Sequence, residues 1–388
     1  MTLHIRIHRQ EDYGRNASNF ASSLLCDATQ QHPYDELLQL AGSSQRNAAA
    51  TSLSQAKSSA EPAAGTARVM RRFTASFPVF VFGAFCATST VAVAADETIY
   101  AAPDSSFVLV GGVGYTQLRA NELVYDLAGN HVSKLIWESD APVLTTGFKA
   151  ELGNSWTIAA NSVIGLSGES HMEDYDWYGF SPGFGPGDWA SRDISPDTSL
   201  DRYINLDIAA GRDFGINDAT TINLHGGFKY TDVKWTAYGG TFIYSGRAFR
   251  DSQEIFEPGK GIISYEQRYP GVFLGAEVIT RLGDWTLSGL LRGGLGIDES
   301  EIDDHWLRTM HSKGEFGTEP FVSFGAKANY QVTDRVNLFL AGNFDKYFRE
   351  KGDMTVDKSK DTATGIYKNL AGMDLQALTI SAGFKLTF

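Results

Sequence analysis

The last nine residues of this chain constrain the rest most strongly. Ile380, Ala382, Phe384, Leu386 and Phe388 alternate with Ser381, Gly383, Lys385 and Thr387. Successive residues of a strand point to opposite faces. The segment therefore carries one apolar and one polar face, and it stops on an aromatic. A strand that is apolar outward and polar inward is what closes a transmembrane β-barrel. The same period recurs at Trp156–Leu166, Tyr203–Ala209, Thr221–Gly227, Trp285–Leu295 and Val336–Phe344. Turn-like pieces separate them at Leu152–Asn154, Gly215–Asp218 and Leu282–Asp284. Aromatics fall near segment ends, where the two membrane interfaces would hold them. No uninterrupted apolar run after Ser105 approaches the ~20 residues of a membrane-spanning helix. A soluble β-sandwich would alternate too; the terminal aromatic and the export signal described next favour the barrel.

Met70-Arg71-Arg72 is a basic start, Phe73–Phe85 is mostly apolar, and Ala92-Val93-Ala94 is a small-residue cleavage site. Together they read as a secretory signal peptide over residues 70–94. The apolar part is too short for an anchor and ends in Thr88, Ser89 and Thr90. Translation is expected to begin at Met70, which makes residues 1–69 an upstream extension whose Ala/Ser/Gln-rich composition reads as disordered. Residues 95–388 are left as one exported barrel domain. Cys26 and Cys86 both precede the cleavage point, so the mature chain uses no disulfide. A formal net charge of -13 argues against nucleic acid as a partner.

Membrane strands take only ~9–11 residues each, so a chain of this length has material left over. The polar stretches 167–199, 245–265 and 298–318 are expected on the extracellular side, where barrel loops are long. Two of them carry acidic runs: Glu173-Asp174-Tyr175-Asp176-Trp177 and Glu301-Ile302-Asp303-Asp304-His305. In a strand, Asp174 shares a face with Asp176, and Asp303 with His305. A carboxylate raises the basicity of a neighbouring imidazole and orients it, while two close carboxylates compete to stay ionised. Each run alone reads as a solvated acidic loop; across one cleft they would make a water-activating site. Strict alternation from Trp285 puts Asp303 and His305 on the lipid side, and Trp156 does the same to Asp176. A one-residue bulge near Glu299-Ser300, and another in Gly165–Gly168, would restore the phase.

With these residues in view, the chain resembles the omptin family of outer-membrane proteases. The resemblance rests on the order and spacing of Glu122-Leu123-Val124-Tyr125, Asp174-Tyr175-Asp176-Trp177, Trp235–Phe242, Tyr265-Glu266-Gln267-Arg268, Asp303-Asp304-His305 and Gly383–Phe388. It implies a ten-stranded antiparallel transmembrane β-barrel projecting above the outer membrane, with a proteolytic cleft at its exterior end. It assigns Asp303 and His305 to the couple that takes a water's proton, and Asp174 and Asp176 to the opposite wall. No metal and no covalent acyl-enzyme would be needed. Ser167 and Ser170 are rival nucleophiles, but no nucleophile-elbow pattern frames them. Glu122 and Glu301 match the acids that select Arg or Lys before the scissile bond, so the expected substrates are peptides or proteins with basic residues. Ser191 and Ser195 stand where the family usually has an Asp and a His, which bears on preference after the bond. The family also implies lipopolysaccharide as an activator held by basic residues. Arg268 keeps one, Asp232 stands where an Arg is usual, and Lys234 or Lys229 would substitute. Nothing suggests more than a monomer. The rival reading is a non-catalytic barrel, an adhesin or structural protein, but retention of all four cleft residues favours the enzyme. A pore is disfavoured, because inward charges such as Arg292 and Lys385 would plug a narrow barrel.

Overall fold

A computed structural model of the chain describes residues 107–358 and 361–388; the upstream extension, the signal peptide and both cysteines lie outside them. Every regular element described is a strand. These are β1 (Phe107–Tyr125), β2 (His131–Gly153), β3 (Trp156–Gly165), β4 (Glu169–Asp176), β5 (Ser191–Asn217), β6 (Thr220–Tyr244) and β7 (Ser252–Leu282). They continue with β8 (Trp285–Gly296), β9 (Ser300–His305), β10 (Met310–Glu315), β11 (Pro320–Gln331), β12 (Val336–Lys358) and β13 (Asp361–Thr387). All pair antiparallel with their neighbours, and β13 pairs β1 from Thr387↔Val108 to Ala371↔Val124, which closes the ring. β4 continues β3, β9 continues β8, and β10 precedes β11 in a single position each, so the thirteen strands make a ring of ten. A closed ring leaves no edge strand to template aggregation.

The alternation read from the C-terminus holds. Ile380 and Phe384 are 57% and 58% exposed on the outside, while Ser381 and Lys385 are buried inside. The outward belt continues around the barrel through Val113, Leu224, Leu274, Leu291 and Leu340. β7 alone has 31 residues, ~100 Å of extended chain against a hydrocarbon layer of ~30 Å. Even tilted ~40° it rises far above the membrane. The polar stretches expected as loops are therefore mostly wall. β4, β9, β10 and the outer parts of β5 and β7 keep their backbone groups in the ladder, which an irregular loop cannot do. The exterior connections among the described residues are short, at 126–130, 245–251 and 306–309, except for 177–190.

Both phase corrections are present. β7 pairs Gly271 with Gly296 and then Arg268 with Ser300, so four steps on one chain face three on the other. β2 pairs Val143 with Gly165 and Asp140 with Glu169, again three against four. One extra residue in each place turns the following strand over. Glu301, Asp303, His305, Asp174 and Asp176 consequently face inward.

β6 is bulged against β7 between Ala237 and Gly240. Gly240 sits at φ +110°, and a Cβ there would lie 2.2 Å from the Ile194 carbonyl oxygen. The Ser195 hydroxyl donates to the Gly239 carbonyl at 2.9 Å, which gives that serine a structural place in the bulge. Gly240→Ala combines a left-handed backbone penalty with a backbone clash and is expected to cost roughly 3 kcal/mol or more. The heat-modifiable mobility transition on a gel should fall by many degrees, and an unchanged transition would mean that β5 simply moves aside.

The lumen is filled with paired polar groups. Lys229 Nζ lies 2.8 Å from Asp345 Oδ1, Asn205 Nδ2 donates to Asp345 Oδ2 at 2.9 Å, and Arg292 Nη1 lies 3.3 Å from Asp207 Oδ1. These pairs join β5, β6, β8 and β12 across the barrel. Lys229 is thereby committed to the interior and unavailable to any lipid outside. Above them lies an aromatic layer in which Tyr269 stacks on Tyr347 at 4.3 Å and Phe321 lies 5.2 Å from Tyr347.

Candidate active site

Above that layer the two acidic runs meet. β9 hangs on β7 with Asp303 opposite Tyr265 and Glu301 opposite Gln267. β4 lies between β2 and β5, with Asp174 opposite Leu135 on one side and Asp193 on the other. Leu135 in turn pairs with Glu122 of β1, so Glu122, Leu135 and Asp174 form one row. Their side chains belong to a single electrostatic unit. Burial raises the pKa of Glu122 well above the usual carboxylate range, and Asp303, Glu301 and Asp174 push it further up. Burial, Asp176 and Asp193 likewise raise Asp174, which also feels Asp303. Asp176 is raised by burial, while the Tyr178 hydroxyl, donating at 2.6 Å, Arg308 and His305 favour its ionised form.

The Asp303–His305 couple is the tightest feature. His305 Nε2 lies 2.7 Å from Asp303 Oδ2, and both side chains are at least 95% buried. One oxygen each of Glu122, Asp174, Asp193 and Asp303 is buried with no hydrogen-bond donor in the protein. Buried acceptors are normally satisfied; a cluster of such oxygens suits a water or the cationic end of a substrate.

Glu301 is held from below. The Tyr265 hydroxyl donates to its carboxylate, and Gln267 Nε2 donates to Tyr265 at 2.9 Å and to the Asn121 carbonyl at 3.2 Å. Burial pushes Glu301 up to about 8 against the opposing effect of that tyrosine. Trp137 stacks between Trp235 (6.0 Å) and Tyr265 (5.6 Å), and Trp235 Nε1 donates to Ser139 at 2.7 Å. These three rings make the floor of the cleft.

All six residues expected in the cleft are thus brought together. Two others were not singled out by the sequence. Asp193 of β5 is buried beside Asp174, accepts the Tyr244 hydroxyl at 2.9 Å, and is pushed up to about 7 by burial and Asp176. Arg308, in the turn after His305, donates its backbone N–H to the His305 carbonyl at 3.2 Å, and its charge lowers Asp174, Asp176 and Asp193 together. Asp193 lies two residues past Ser191 and shares its inward face, a signal that period two could have supplied. Ser167 and Ser170 do not enter the acid cluster; Ser170 shares a 2.7 Å hydrogen bond with Ser139 instead.

Arg268 and Lys234 lie outside the wall, on β7 and β6, and converge on Glu266. Arg268 is ion-paired to it, and Lys234 Nζ is 3.9 Å away. Arg202 joins them from a bulge in β5, with Nε 2.9 Å from Asp232 Oδ2 and Nη2 2.5 Å from Glu266. It supplies beside Asp232 the cation that the sequence position itself lacks.

A model of the omptin family matches residues 104–388. The plasminogen activator of Yersinia pestis is 24% identical over 290 residues, 74% of this chain and 90% of that protein. Protease 7 of Escherichia coli O157:H7 is 25% identical over 308 residues, 76% of this chain and 94% of that protein. The crystal structure of outer membrane protease OmpT from Escherichia coli superposes with a TM-score of 0.69 at 24% identity, over 74% of this chain and 98% of that one.

Proposed function

The chain belongs to the omptin family, an outer-membrane protease of β-barrel fold, and from that premise we propose that it is an aspartyl-type endopeptidase cutting after Arg or Lys. The observation that carries this reading is the buried 2.7 Å Asp303–His305 couple in one acid cluster with Asp174 and Asp176. Asp303 holds the imidazole through Nε2, which makes Nδ1 the nitrogen that takes a proton from water. The resulting hydroxide adds to the scissile carbonyl. Across the cleft, Asp174 and Asp176 together favour holding a proton, because two adjacent buried carboxylates resist ionising at once. The protonated carboxyl can donate to the developing oxyanion and then to the leaving amine, so the proton removed from water is balanced by one delivered to the product. Glu122 and Glu301 receive the cationic side chain before the bond. A single chain supplies every one of these groups, so a monomer suffices. Arg268, Lys234 and Arg202 would hold phosphates of lipopolysaccharide as an activator.

A quenched fluorescent peptide with a central Arg-Arg pair tests the reading, with and without lipopolysaccharide. Cleavage after Arg is expected. Between pH 6 and 9, kcat/KM should rise, because Glu301 (about 8) must lose its proton to bind a cation. Stability should move the other way. A carboxyl whose folded pKa lies above its unfolded value binds more protons when folded, so stability falls as pH climbs from the unfolded value of ~4.5 towards 8. A folded barrel that leaves the peptide intact under both conditions would mean a non-catalytic barrel.

A further inference from the structure

The outer wall carries a second cationic face. It is centred on Asp374 of β13, a carboxylate only 3% exposed. Lys346 Nζ lies 2.9 Å from Asp374 Oδ1, and Arg349 Nε donates to Oδ2 at 2.7 Å. Asn121 Nδ2 donates to the same carboxylate at 2.9 Å. Lys351 Nζ stands 3.8 Å over the Tyr125 ring beside them. Lys134 of β2 completes the group; burial and then the charge of Arg349 push its pKa down, as expected where cations crowd. Four cations thus surround one buried carboxylate. The face ends at Glu138, which already pairs with Arg119 and His171.

Its height on the barrel is defined by the residues beneath it. The outward side chains of β13 run Phe384, Ile380, Leu378, all exposed and apolar, and then Gln376 and Asp374. On β1 the exposed Val113 and Tyr115 give way to Gln117, and on β12 Leu338 and Leu340 give way to Lys346. The cations therefore begin within one to three residues of the apolar belt, at headgroup level. Arg202, Lys234 and Arg268 occupy the same height on β5–β7. β13 and β6 are five positions apart in the ring of ten, so the two faces lie on opposite sides of the barrel.

We propose that Lys134, Lys346, Arg349 and Lys351 form a second surface for phosphorylated lipid of the outer leaflet, diametrically opposite the Arg202–Lys234–Arg268 cluster. One carboxylate needs one counter-charge, and the surplus cations sit where anionic headgroups lie. Lipid phosphates attract such charges by ~1 kcal/mol each, about five-fold in affinity. Anchors on two opposite sides would hold the barrel axis upright and fix how far the cleft stands above the headgroups. This inference rests on the outer-membrane location and not on the protease chemistry.

The test uses detergent-solubilised full-length protein and avoids the two cations that neutralise Asp374. The Lys134→Gln, Lys351→Gln double variant is titrated with diphosphorylated lipid A, and with the dephosphorylated form as control; native mass spectrometry counts bound lipids. The wild type is expected to hold lipid at two sites. The double variant should lose one site, with about 25-fold weaker binding there, while its heat-modifiable mobility is unchanged. An Arg202→Gln, Lys234→Gln, Arg268→Gln variant should lose the other site, and dephosphorylated lipid should not discriminate among the proteins. Unaltered stoichiometry and affinity in the double variant would overturn the proposal, as would an equal loss towards dephosphorylated lipid.

Discussion

Replacing His305 by Ala is expected to lower kcat for an Arg-containing peptide by roughly 10³-fold or more, with KM little changed. The reason is the role proposed for the ring. Removal of a positioned general base costs ~10²–10⁴-fold, and here Asp303 would also lose the partner 2.7 Å away that keeps its buried charge tolerable. The imidazole occupies one inward position at the top of the wall, and β9 on either side is held by the ladders to β7 and β10. The barrel should therefore stay closed, and heat-modifiable mobility on a gel reports that independently of activity. Full activity in a folded His305→Ala protein would dismiss the mechanism. A loss of activity and of mobility together would call for His305→Gln, which fills the space without the base.

The second large effect concerns the choice of substrate. Changing Glu301 and Glu122 to Gln should cost roughly 10–100-fold in kcat/KM per carboxylate for a peptide with Arg before the scissile bond, since a hydrogen bond to a charged group contributes ~1.5–3 kcal/mol. A peptide carrying Gln there should be cut as before or better. Selectivity collapses towards neutrality while turnover survives. The same pair of changes should raise thermal stability above pH 8, because it removes carboxylates that burial and mutual repulsion already push up. An unchanged cleavage profile would remove both residues from the pocket.

The alternation in β13 made the barrel legible, because lipid and lumen impose opposite demands on successive residues. The acidic runs were legible for the same reason: Asp174 with Asp176, and Asp303 with His305, keep their pairwise spacing whatever the phase of the strand. Even the phase error pointed to its own repair, since only an inserted residue could bring those pairs inward. Loops and wall could not be told apart from composition, because a strand above the membrane is wet on its outer face and carries the same polar residues as a loop. Lys229 was assigned to the outside by motif, yet its partner Asp345 lies 116 residues away along the chain, a distance no local pattern spans. Arg202 escaped notice for a related reason: the bulge between Leu200 and Arg202 changes its register against β6. Asp193 and Arg308 reach the cluster from other strands and turns, and become neighbours of Asp174 and Asp176 only when the ring closes.

The stacked floor of Trp137, Trp235 and Tyr265, with the ion pairs beneath it, also settles where products can go. A vessel sealed at the base and open at the rim has a single exit. Fragments released in the cleft return to the surroundings and do not drain into the cell, so such a protein can alter what reaches the cell surface but cannot feed its owner through its own bore. The same seal lets many copies crowd the outer membrane without any of them becoming a leak.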